Sequence, residues 1–396
     1  MRILLVSSFL PYPLFSGGHI RLYNLMKNLK KDGYKITLIC EKRDYQGKAD
    51  IEKALEVCDK VITFDRQKPW SVGNVIKDLI LFRSLLSVSH NIPEMKEAIK
   101  KELDSQKYDL IHVETFYVNQ NLPKVKIPVV LAEHNIEYLV YKRYADNARF
   151  PLRPLLFLDV IKVKKEEKYF WKKASRLIAV SPQDQKMMGR EDVVIVANGV
   201  DIGKFDLERK KKNPNDERLV LFIGDFKWVQ NRDSVSWIIE KVWPQVLNYA
   251  KRRNIKVKLW IVGKRIPQNL KDLKSDAVIF DENASTQTEI IYNKADLLLA
   301  PIRIGGGTSF KILESMASGL PVLTTALGNE GIDGKPGLDI VIEEEPSGYA
   351  DSLIDLLLNP KKYEMISENG RKHVRENFDW ENITKKLEQV YKASSK

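Results

Sequence analysis

The sequence predicts an α/β protein with two domains, each a doubly wound parallel β-sheet covered by helices. Short apolar runs that end at glycine, proline or polar residues alternate with longer amphipathic segments along the chain. This is the pattern of strands joined by helices. A glycine turn joins the first strand to the first helix, as in a βαβ unit. The length of 396 residues suits two domains of roughly 200 residues each.

The first half of the chain contains a series of predicted strands, at residues 2–8, 35–40, 61–64, 110–113, 129–132 and 177–180. Gly17 and Gly18 open the helix that follows the first strand. Ligands of such sheets bind at the carboxyl ends of the strands. One rim of the sheet is therefore expected to carry Gly17, Gly18, His19, His112 and the run Glu133-His134-Asn135.

The second half repeats the pattern, with predicted strands at residues 219–224, 258–263, 277–280, 297–301 and 321–324. A loop at residues 225–231 and a predicted helix at residues 233–246 follow the first of these strands. Strands that alternate with helices in this way predict a second parallel sheet.

The run IGGGTSFKILESMASGLPV at residues 304–322 is the most informative stretch of the chain. A glycine loop that leads into a helix leaves backbone N–H groups unpaired at the positive end of the helix dipole, which suits a phosphate. Glu314 would repel a phosphate and is better placed to accept hydrogen bonds from ribose hydroxyls. Gly319 is expected to cap the helix, with Pro321 just beyond it. A glycine triplet alone is more often a turn, but this combination predicts a nucleotide site.

The same run resembles the donor-nucleotide motif of GT-B glycosyltransferases of the large retaining family numbered four. That motif has two glutamates separated by seven residues; Glu314 matches the second, whereas Gly306 occupies the position of the first. The chain is similar to the subgroup with a GGGT loop followed by lysine. The resemblance implies two Rossmann-like domains that face a central cleft. Because the missing acid commonly contacts the donor sugar, sugar recognition is expected from backbone amides of residues 306–308 or from elsewhere.

The resemblance also implies the site residues. The donor-binding set is Gly305, Gly306, Gly307, Thr308, Ser309, Phe310, Glu314, Gly17, Gly18 and Asn231. Relatives place a histidine near the donor sugar and leaving group in the loop that EHNIEY at residues 133–138 resembles, so His134 is the catalytic candidate. The alternative is a capping cluster in which Asn135 is the N-cap and His134 a loop residue. The expected acceptor-side residues are Glu133, Asn135, His19 and His112.

Two lysines are candidates for contact with the donor diphosphate. Lys227 lies in a loop that resembles the first turn of the family's second domain, although the common Arg-Lys pair is not obvious there. Lys311 lies three residues before Glu314, on an adjacent ridge of the predicted helix. For both lysines the alternative is a solvated surface charge.

The domain limits follow from two further resemblances. The segment Asn198-Gly199-Val200-Asp201 resembles the family's linker. The predicted domains are therefore residues 1–197 on the acceptor side and 198–375 on the donor side. Residues 376–396 form a predicted terminal helix that crosses back to the first domain.

The predicted activity is transfer of a sugar from a nucleoside-diphosphate sugar to the hydroxyl of a glycan, a lipid-linked or a small-molecule acceptor. Glycine-loop amides, a helix dipole and Lys227 or Lys311 would stabilise charge on the leaving diphosphate. The chain contains no Asp-x-Asp and its five histidines are scattered, so neither a metal nor another cofactor is expected. Retention of configuration follows from the resemblance alone, with a donor phosphate oxygen taking the acceptor proton.

Three other functions are weighed against transfer. A sugar-nucleotide epimerase of the same fold would need acid/base carboxylates that the sequence does not place. A non-catalytic nucleotide-binding protein is compatible with the glycine at position 306. A dinucleotide-dependent dehydrogenase would need Gly-x-Gly-x-x-Gly after the first strand, and residues 7–18 lack that spacing. Release of nucleoside diphosphate only when an acceptor is added would identify the transferase.

Composition and charge limit the classes of binding partner and the cellular location that are expected. The net charge of +12 suits nucleic acid, anionic membrane or an anionic substrate, but no nucleic-acid module is recognisable. The basic run at residues 162–173 lies on a predicted amphipathic helix with Leu155, Leu156, Val160, Phe170 and Trp171. That helix leaves open a solvated face or peripheral contact with anionic lipid. Two cysteines and the absence of a long apolar run predict a reducing cytoplasm, and the alternative is peripheral attachment to the inner face of the membrane.

Overall fold

The computed structural model describes residues 1–67, 71, 82–146, 148, 150–209, 213, 216–285, 287–304 and 307–395. The chain divides into two units, Met1–Ala197 with Ile383–Lys396 and Asn198–Asn382. Each unit is built on a parallel sheet with helices, which confirms the predicted fold class. The limits predicted at residues 197/198 and 375/376 remain predictions from the sequence.

The sheet of the first unit has, among the described residues, seven parallel strands in the order β3-β2-β1-β4-β5-β6-β7. They are β1 (Arg2–Ser7), β2 (Lys35–Lys42), β3 (Lys60–Asp65), β4 (Leu110–Glu114), β5 (Val129–Ala132), β6 (Arg176–Ala179) and β7 (Val193–Ile195). The chain order reverses between β1 and β4, the position at which open α/β sheets bind ligands. The last strand, β7, was not predicted.

The helices of this unit follow from apolar periodicity. In α1 (Gly17–Lys31), the buried residues Leu22, Leu25, Met26 and Leu29 form a single stripe. The remaining helices are α2 (Lys48–Leu55), α3 (Leu85–Ser89), α4 (Pro93–Ser105), a 3₁₀ helix (Phe116–Asn121), α5 (Glu137–Asp146), α6 (Leu152–Lys173) and α7 (Pro182–Met188). Strand β1 is buried from Ile3 to Ser7, as expected for a parallel strand covered on both faces.

The second unit has six strands in its described part, in the order β10-β9-β8-β11-β12-β13. They are β8 (Arg218–Asp225), β9 (Val257–Lys264), β10 (Val278–Asp281), β11 (Leu297–Ala300), β12 (Val322–Thr324) and β13 (Val341–Ile342). Here the order reverses between β8 and β11. The two residues of β13 are too few to carry a sequence pattern, and the strand was not predicted.

The helices of the second unit begin with α8 (Ile202–Phe205), α9 (Val229–Trp237), a π-helical turn (Ile238–Val242) and α10 (Trp243–Arg252). They continue with α11 (Gln268–Lys271), α12 (Thr288–Lys294), α13 (Phe310–Ala317), α14 (Ala326–Asn329), α15 (Pro346–Leu358), α16 (Pro360–Asn377) and α17 (Trp380–Ser394). The helix predicted at 233–246 thus begins earlier, at Val229, and its first turn includes the buried Asn231. Most of α17 belongs to the first unit. Across the described residues, no helix combines the length and apolarity needed to span a bilayer.

Candidate functional site

The loop between β11 and α13 carries most of the predicted donor residues. Gly305 and Gly306 lie outside the described residues. Gly307 has a φ of 81°, which is the left-handed region that favours glycine. Thr308 Oγ1 donates to Gly331 O at 3.4 Å. Ser309 is extended and its side chain makes no capping hydrogen bond to α13, so first-turn N–H groups of that helix keep donor capacity for an anion.

Helix α13 begins at Phe310 and ends as predicted at a glycine cap. Gly319 has a φ of 65°. Its N–H donates to Met316 O at 3.0 Å, and Leu320 N–H donates to Ser315 O at 2.9 Å. These two bonds form a Schellman motif, which satisfies the last carbonyl groups and stops the helix.

Glu314 lies in the second turn of α13. The Tyr292 hydroxyl donates to Glu314 Oε2 at 2.9 Å, and no described residue hydrogen-bonds the second oxygen, Oε1. Burial raises the pKa of Glu314 to about 7, although Tyr292 and the charge of Lys204 oppose the shift. The carboxyl group therefore retains one oxygen as an acceptor for a ligand hydroxyl.

Lys311 and Asn231 meet in the structure, although they are far apart in sequence. Lys311 Nζ donates to Asn231 Oδ1 at 2.7 Å and lies 4.4 Å from the centre of the Phe222 ring. Burial lowers the pKa of Lys311 to about 7. Asn231 Nδ2 in turn donates to Asp225 O at 2.8 Å. A side chain at Gly224 would approach that amide to 2.6 Å, so the strand end must be glycine for Asn231 to hold Lys311.

Lys227 is more exposed than Lys311. Its Nζ lies 3.7 Å from Asp225 Oδ2 and 5.0 Å from the Trp228 ring centre. Asp225 also pairs with Arg265, whose Nε donates to Oδ1 at 3.0 Å. Arg265 follows β9 with a φ of 61° and was not singled out from the sequence. The loop at 225–231 lacks an Arg-Lys pair of its own, but Arg265 and Lys311 bring two cations to it from other elements.

His134 is the centre of the predicted site in the first unit. It follows β5 and is half-buried, and its Nε2 makes a short hydrogen bond to Glu114 Oε2. Glu114 is the last residue of β4 and pairs in register with Ala132, which explains the proximity. A Cβ at Gly18 would lie 3.1 Å from His134 Nδ1. The absence of that carbon lets the glycine turn of α1 approach the imidazole.

Glu114 lies between two histidines. Its Oε1 is 3.0 Å from His112 Nε2, and His112 Nδ1 is 2.6 Å from the Tyr391 hydroxyl. Burial alone would raise the pKa of Glu114, but the charges and hydrogen bonds of His134 and His112 hold it well below the ordinary value. A buried carboxylate therefore orients His134. Glu114 was missed because a single acid at a strand end is a weak signal.

Two predicted acceptor-side residues are buried inside the unit. Glu133 accepts from Trp171 Nε1 at 3.1 Å and from Phe116 N–H at 3.3 Å. Burial and the neighbouring Glu167 raise the pKa of Glu133 well above its ordinary value. His112 lies within β4 and is 1% exposed. Trp171 of α6 covers Glu133 and Tyr391 of α17 covers His112, so neither side chain is exposed at the rim.

The other two predicted acceptor-side residues, His19 and Asn135, lie at the rim of the sheet. His19 Nδ1 is 2.5 Å from Ser16 Oγ, and its ring lies 5.0 Å from that of Phe9. Asn135 is exposed and is not the N-cap of α5. The N–H of Glu137 instead donates to Glu167 Oε1 at 2.7 Å. That carboxylate comes from α6, a partner that local sequence does not reveal.

In the described part of the chain, no group of three histidine, cysteine or acidic side chains is arranged to hold a metal ion.

Two parallel-sheet units, one with a glycine loop and helix suited to a nucleotide, are typical of nucleotide-sugar glycosyltransferases of the GT-B fold. Residues 15–204 match the model described as Glycosyltransferase Family 4, and residues 217–359 match that described as Glycosyl transferases group 1. The chain belongs to the group 1 glycosyltransferases (Glycosyltransferase Family 4). The predictions of family, fold and enzyme class are thereby confirmed.

Two relatives match most of the chain. An uncharacterized 44.6 kDa protein from the cps region of Klebsiella pneumoniae is 23% identical over 394 residues, covering 96% of each chain. An uncharacterized glycosyltransferase of Methanocaldococcus jannaschii is 26% identical over 76% of this chain and 80% of its own.

Solved structures share the fold. Sucrose-phosphate synthase from Thermosynechococcus elongatus has a TM-score of 0.65 at 18% identity, over 99% of both chains. Anabaena HepE in complex with UDP-glucose has a TM-score of 0.61 at 15% identity, over 99% of this chain and 100% of its own.

Proposed function

We propose that α13 and the loop before it hold the nucleoside diphosphate of the donor sugar. The observation that carries this proposal is the placement of Lys311 and Glu314 on one helix, three residues apart, or about 4.5 Å along its axis. Lys311 and the first-turn amides meet the diphosphate, and Glu314 Oε1 accepts from ribose hydroxyls. Residues 307–310 line the same loop, and the UDP-glucose complex of HepE supports a sugar nucleotide as donor.

The leaving diphosphate gains negative charge as the bond to the anomeric carbon breaks. Backbone amides, the α13 dipole and Lys311 stabilise that charge without a proton transfer. Asn231 fixes Lys311 by the 2.7 Å hydrogen bond, and Lys227 adds a second, more exposed cation. With protein cations in this role, transfer proceeds without a metal ion. Equal turnover with EDTA and with added Mg²⁺ is expected, and dependence on the metal would contradict this part of the proposal.

His134 is proposed to contact the donor sugar and its leaving group. The Glu114 carboxylate keeps the imidazole oriented, and Gly17 and Gly18 leave space beside Nδ1. Retention of anomeric configuration is proposed from family membership, with a donor phosphate oxygen taking the acceptor proton. An NMR assignment of the product's anomeric proton tests retention directly.

The acceptor is proposed to be a cell-envelope glycan or its lipid-linked precursor. Two relatives support this proposal: the protein from the cps region of Klebsiella pneumoniae and spore coat protein SA of Bacillus subtilis, 37% identical over 84 residues.

Helix α6 is proposed to contact the surface of an anionic membrane. Four large apolar side chains of its first three turns are between 57% and 64% exposed: Leu152, Leu155, Leu158 and Ile161. By contrast Val160 and Trp171 are buried in the core, so the predicted apolar face divides into an inner and an outer set. Exposed apolar residues beside lysines are typical of interfacial helices.

The charged side chains of α6 are separated in the same way as its apolar ones, with the acids turned inward and the lysines exposed. Asp159 accepts from Leu85 N–H at 2.9 Å, Glu166 pairs with Arg83, and Glu167 caps α5. The acids are thus used inside the unit, whereas Lys164, Lys165, Lys168, Lys172 and Lys173 are exposed.

The protein is expected to co-float with phosphatidylglycerol vesicles and not with phosphatidylcholine vesicles. Leu155→Ser with Ile161→Ser should abolish flotation, and Leu273→Ser, in the second unit, should not; flotation that survives the double change would refute this contact.

The central experiment is a thermal-shift panel of nucleoside diphosphates and sugar nucleotides, since binding raises stability in proportion to RT ln(1 + [L]/Kd). Glu314→Ala should abolish the shift, and Glu364→Ala, at an exposed position of α16, should not. His134→Ala should retain the shift and lose turnover. Binding of UDP, GDP and ADP to Glu314→Ala as tightly as to the parent would refute the donor site.

A further inference from the structure

The loops after β1, β2 and β3 contain charged and aromatic groups that the reaction at His134 does not use. Arg43 is the first residue after β2 and Arg66 the first after β3. Neither guanidinium forms a hydrogen bond or ion pair with any described residue, and Arg66 Nε is buried without a partner. A buried guanidinium atom without a partner is costly, so Arg66 Nε points to a ligand.

The two arginines lie close enough to influence each other. Burial lowers the pKa of Arg43, and Arg66 lowers it further. The nearby carboxylate of Glu41 is already engaged, because its Oε1 is 2.6 Å from His90 Nδ1. Glu41 Oε2 and His90 Nε2 are buried without partners. The cluster therefore has more positive than negative charge, and an incoming anion would relieve the repulsion between the guanidinium groups.

Two exposed aromatic rings stand on the same loops. Phe15 is 67% and Tyr45 59% exposed, and their ring centres are 6.3 Å apart. Gln46 joins these loops: its Nε2 donates to Tyr12 O at 2.6 Å, and its Oε1 accepts from Arg43 N–H at 2.8 Å. Gln46 is 3% exposed, so the loops are held as one prebuilt surface and not as independent segments.

We propose that Arg43, Arg66, Phe15 and Tyr45 form an acceptor subsite for an anionic saccharide. The aromatic rings stack on sugar faces, and the guanidinium groups bind a carboxylate or phosphate, for which arginine provides a planar, bidentate donor. This inference rests on the proposed function, since it identifies the acceptor of that reaction. It adds the chemical class of the acceptor.

The sheet order fixes where the anionic group lies. All the strands are parallel, so these loops and His134 lie on the same carboxyl edge. The His134 imidazole meets Glu114 at the end of β4 and Gly18 after β1, and β1 lies one to two strand spacings, or about 5–10 Å, from β2 and β3. The anionic group therefore lies close to, but not at, the sugar that receives the transferred residue, and an acceptor of more than one sugar is required.

Isothermal titration with three probes of similar size tests this subsite: maltotriose, trigalacturonate and maltotriose 1-phosphate. At least one anionic probe should bind the parent about tenfold more tightly than maltotriose. The probe that gains most distinguishes a carboxylate from a phosphate. The double change Arg43→Ala with Arg66→Ala should reduce its affinity to that of maltotriose, and Lys100→Ala on α4 should leave it unchanged. Phe15→Ala should weaken all three probes.

Equal binding of neutral and anionic probes to the parent would overturn the subsite, and so would an anionic preference that survives the double change. If the alanine variant does not fold, Arg43→Lys with Arg66→Lys keeps the charge and removes bidentate contact, and should still lose most of the preference. The nucleotide thermal shift of each variant is measured in parallel. Loss of the anionic preference with an intact nucleotide shift localises the effect to this subsite, whereas a parent that binds no nucleotide refutes the donor site instead.

Discussion

Replacement of Glu314 by glutamine should stabilise the protein at alkaline pH while it weakens donor binding. Burial raises the pKa of this carboxyl from 4.5 to about 7. A group whose pKa is raised by folding contributes its stability below the unfolded pKa and loses it as the pH rises through the folded pKa. Relative to the non-titrating amide, the parent should therefore lose stability between about pH 4.5 and pH 7. At 1.36 kcal/mol for each pH unit, the loss amounts to about 3 kcal/mol.

The same carboxyl has the opposite effect on donor affinity. Ribose hydroxyls are bound best by the ionised carboxylate, about half of which is present at pH 7 and about one hundredth at pH 5. The parent's affinity for a nucleoside diphosphate should therefore fall by up to about 50-fold from pH 7 to pH 5. Glu314→Gln should bind the nucleoside diphosphate weakly at both pH values. Its affinity should not change between pH 5 and pH 7, because its amide has no titrating proton.

Thermal unfolding at pH 5 and pH 8.5, with and without the nucleotide, measures both effects. Without nucleotide, Glu314→Gln should unfold close to the parent's temperature at pH 5 and several degrees higher at pH 8.5. Glu364→Gln is the matched control from an exposed position of the same unit and should follow the parent throughout. The reasoning fails if the gap between Glu314→Gln and the parent is the same at both pH values.

Further changes test the other charged groups. Burial lowers the pKa of Lys311 to about 7, so donor affinity in the parent should decline as the pH rises above about 7. Lys311→Arg should abolish that alkaline decline in titration calorimetry, since arginine stays charged. Glu114→Gln removes the counter-charge of His134 and should lower turnover by about 100-fold with an unchanged nucleotide thermal shift; unchanged turnover would show that the carboxylate does not act on the imidazole. Tyr391→Phe deprives His112 of one hydrogen bond and should lower the free energy of unfolding by about 1 kcal/mol in urea titration, and no loss would contradict the observed contact.

Much of the fold could be read from the chain because its signals are local. Parallel strands covered on both faces are unbroken apolar runs, and β1, β2, β4 and β5 could be located from such runs alone. The end of α13 was predictable for the same reason, since Gly319 must adopt a positive φ that other residues avoid. The short strands β7 and β13 offered too few residues for a pattern.

Some of the site residues could likewise be proposed from the sequence, whereas their hydrogen-bond partners could not. Lys311 and Glu314 could be proposed because they lie on one predicted helix, whereas the hydrogen bond from Lys311 to Asn231 joins residues 80 positions apart. The partner of His134, Glu114, depends on β4 lying beside β5. Glu133 was misplaced because the sequence does not reveal that Trp171 covers its carboxyl group.

The chain by itself determined which segments form strands and helices and which helix suits a nucleotide, because these depend on spacing within a few residues. Only the tertiary structure decided which charged groups share a partner, such as Glu114 between His134 and His112, and which acids turn inward. Side-chain pairing follows the order of strands in the sheet and the packing of distant helices. Tyr391, 279 residues from His112, is the extreme case: its contact arises because the end of the chain packs into the first unit.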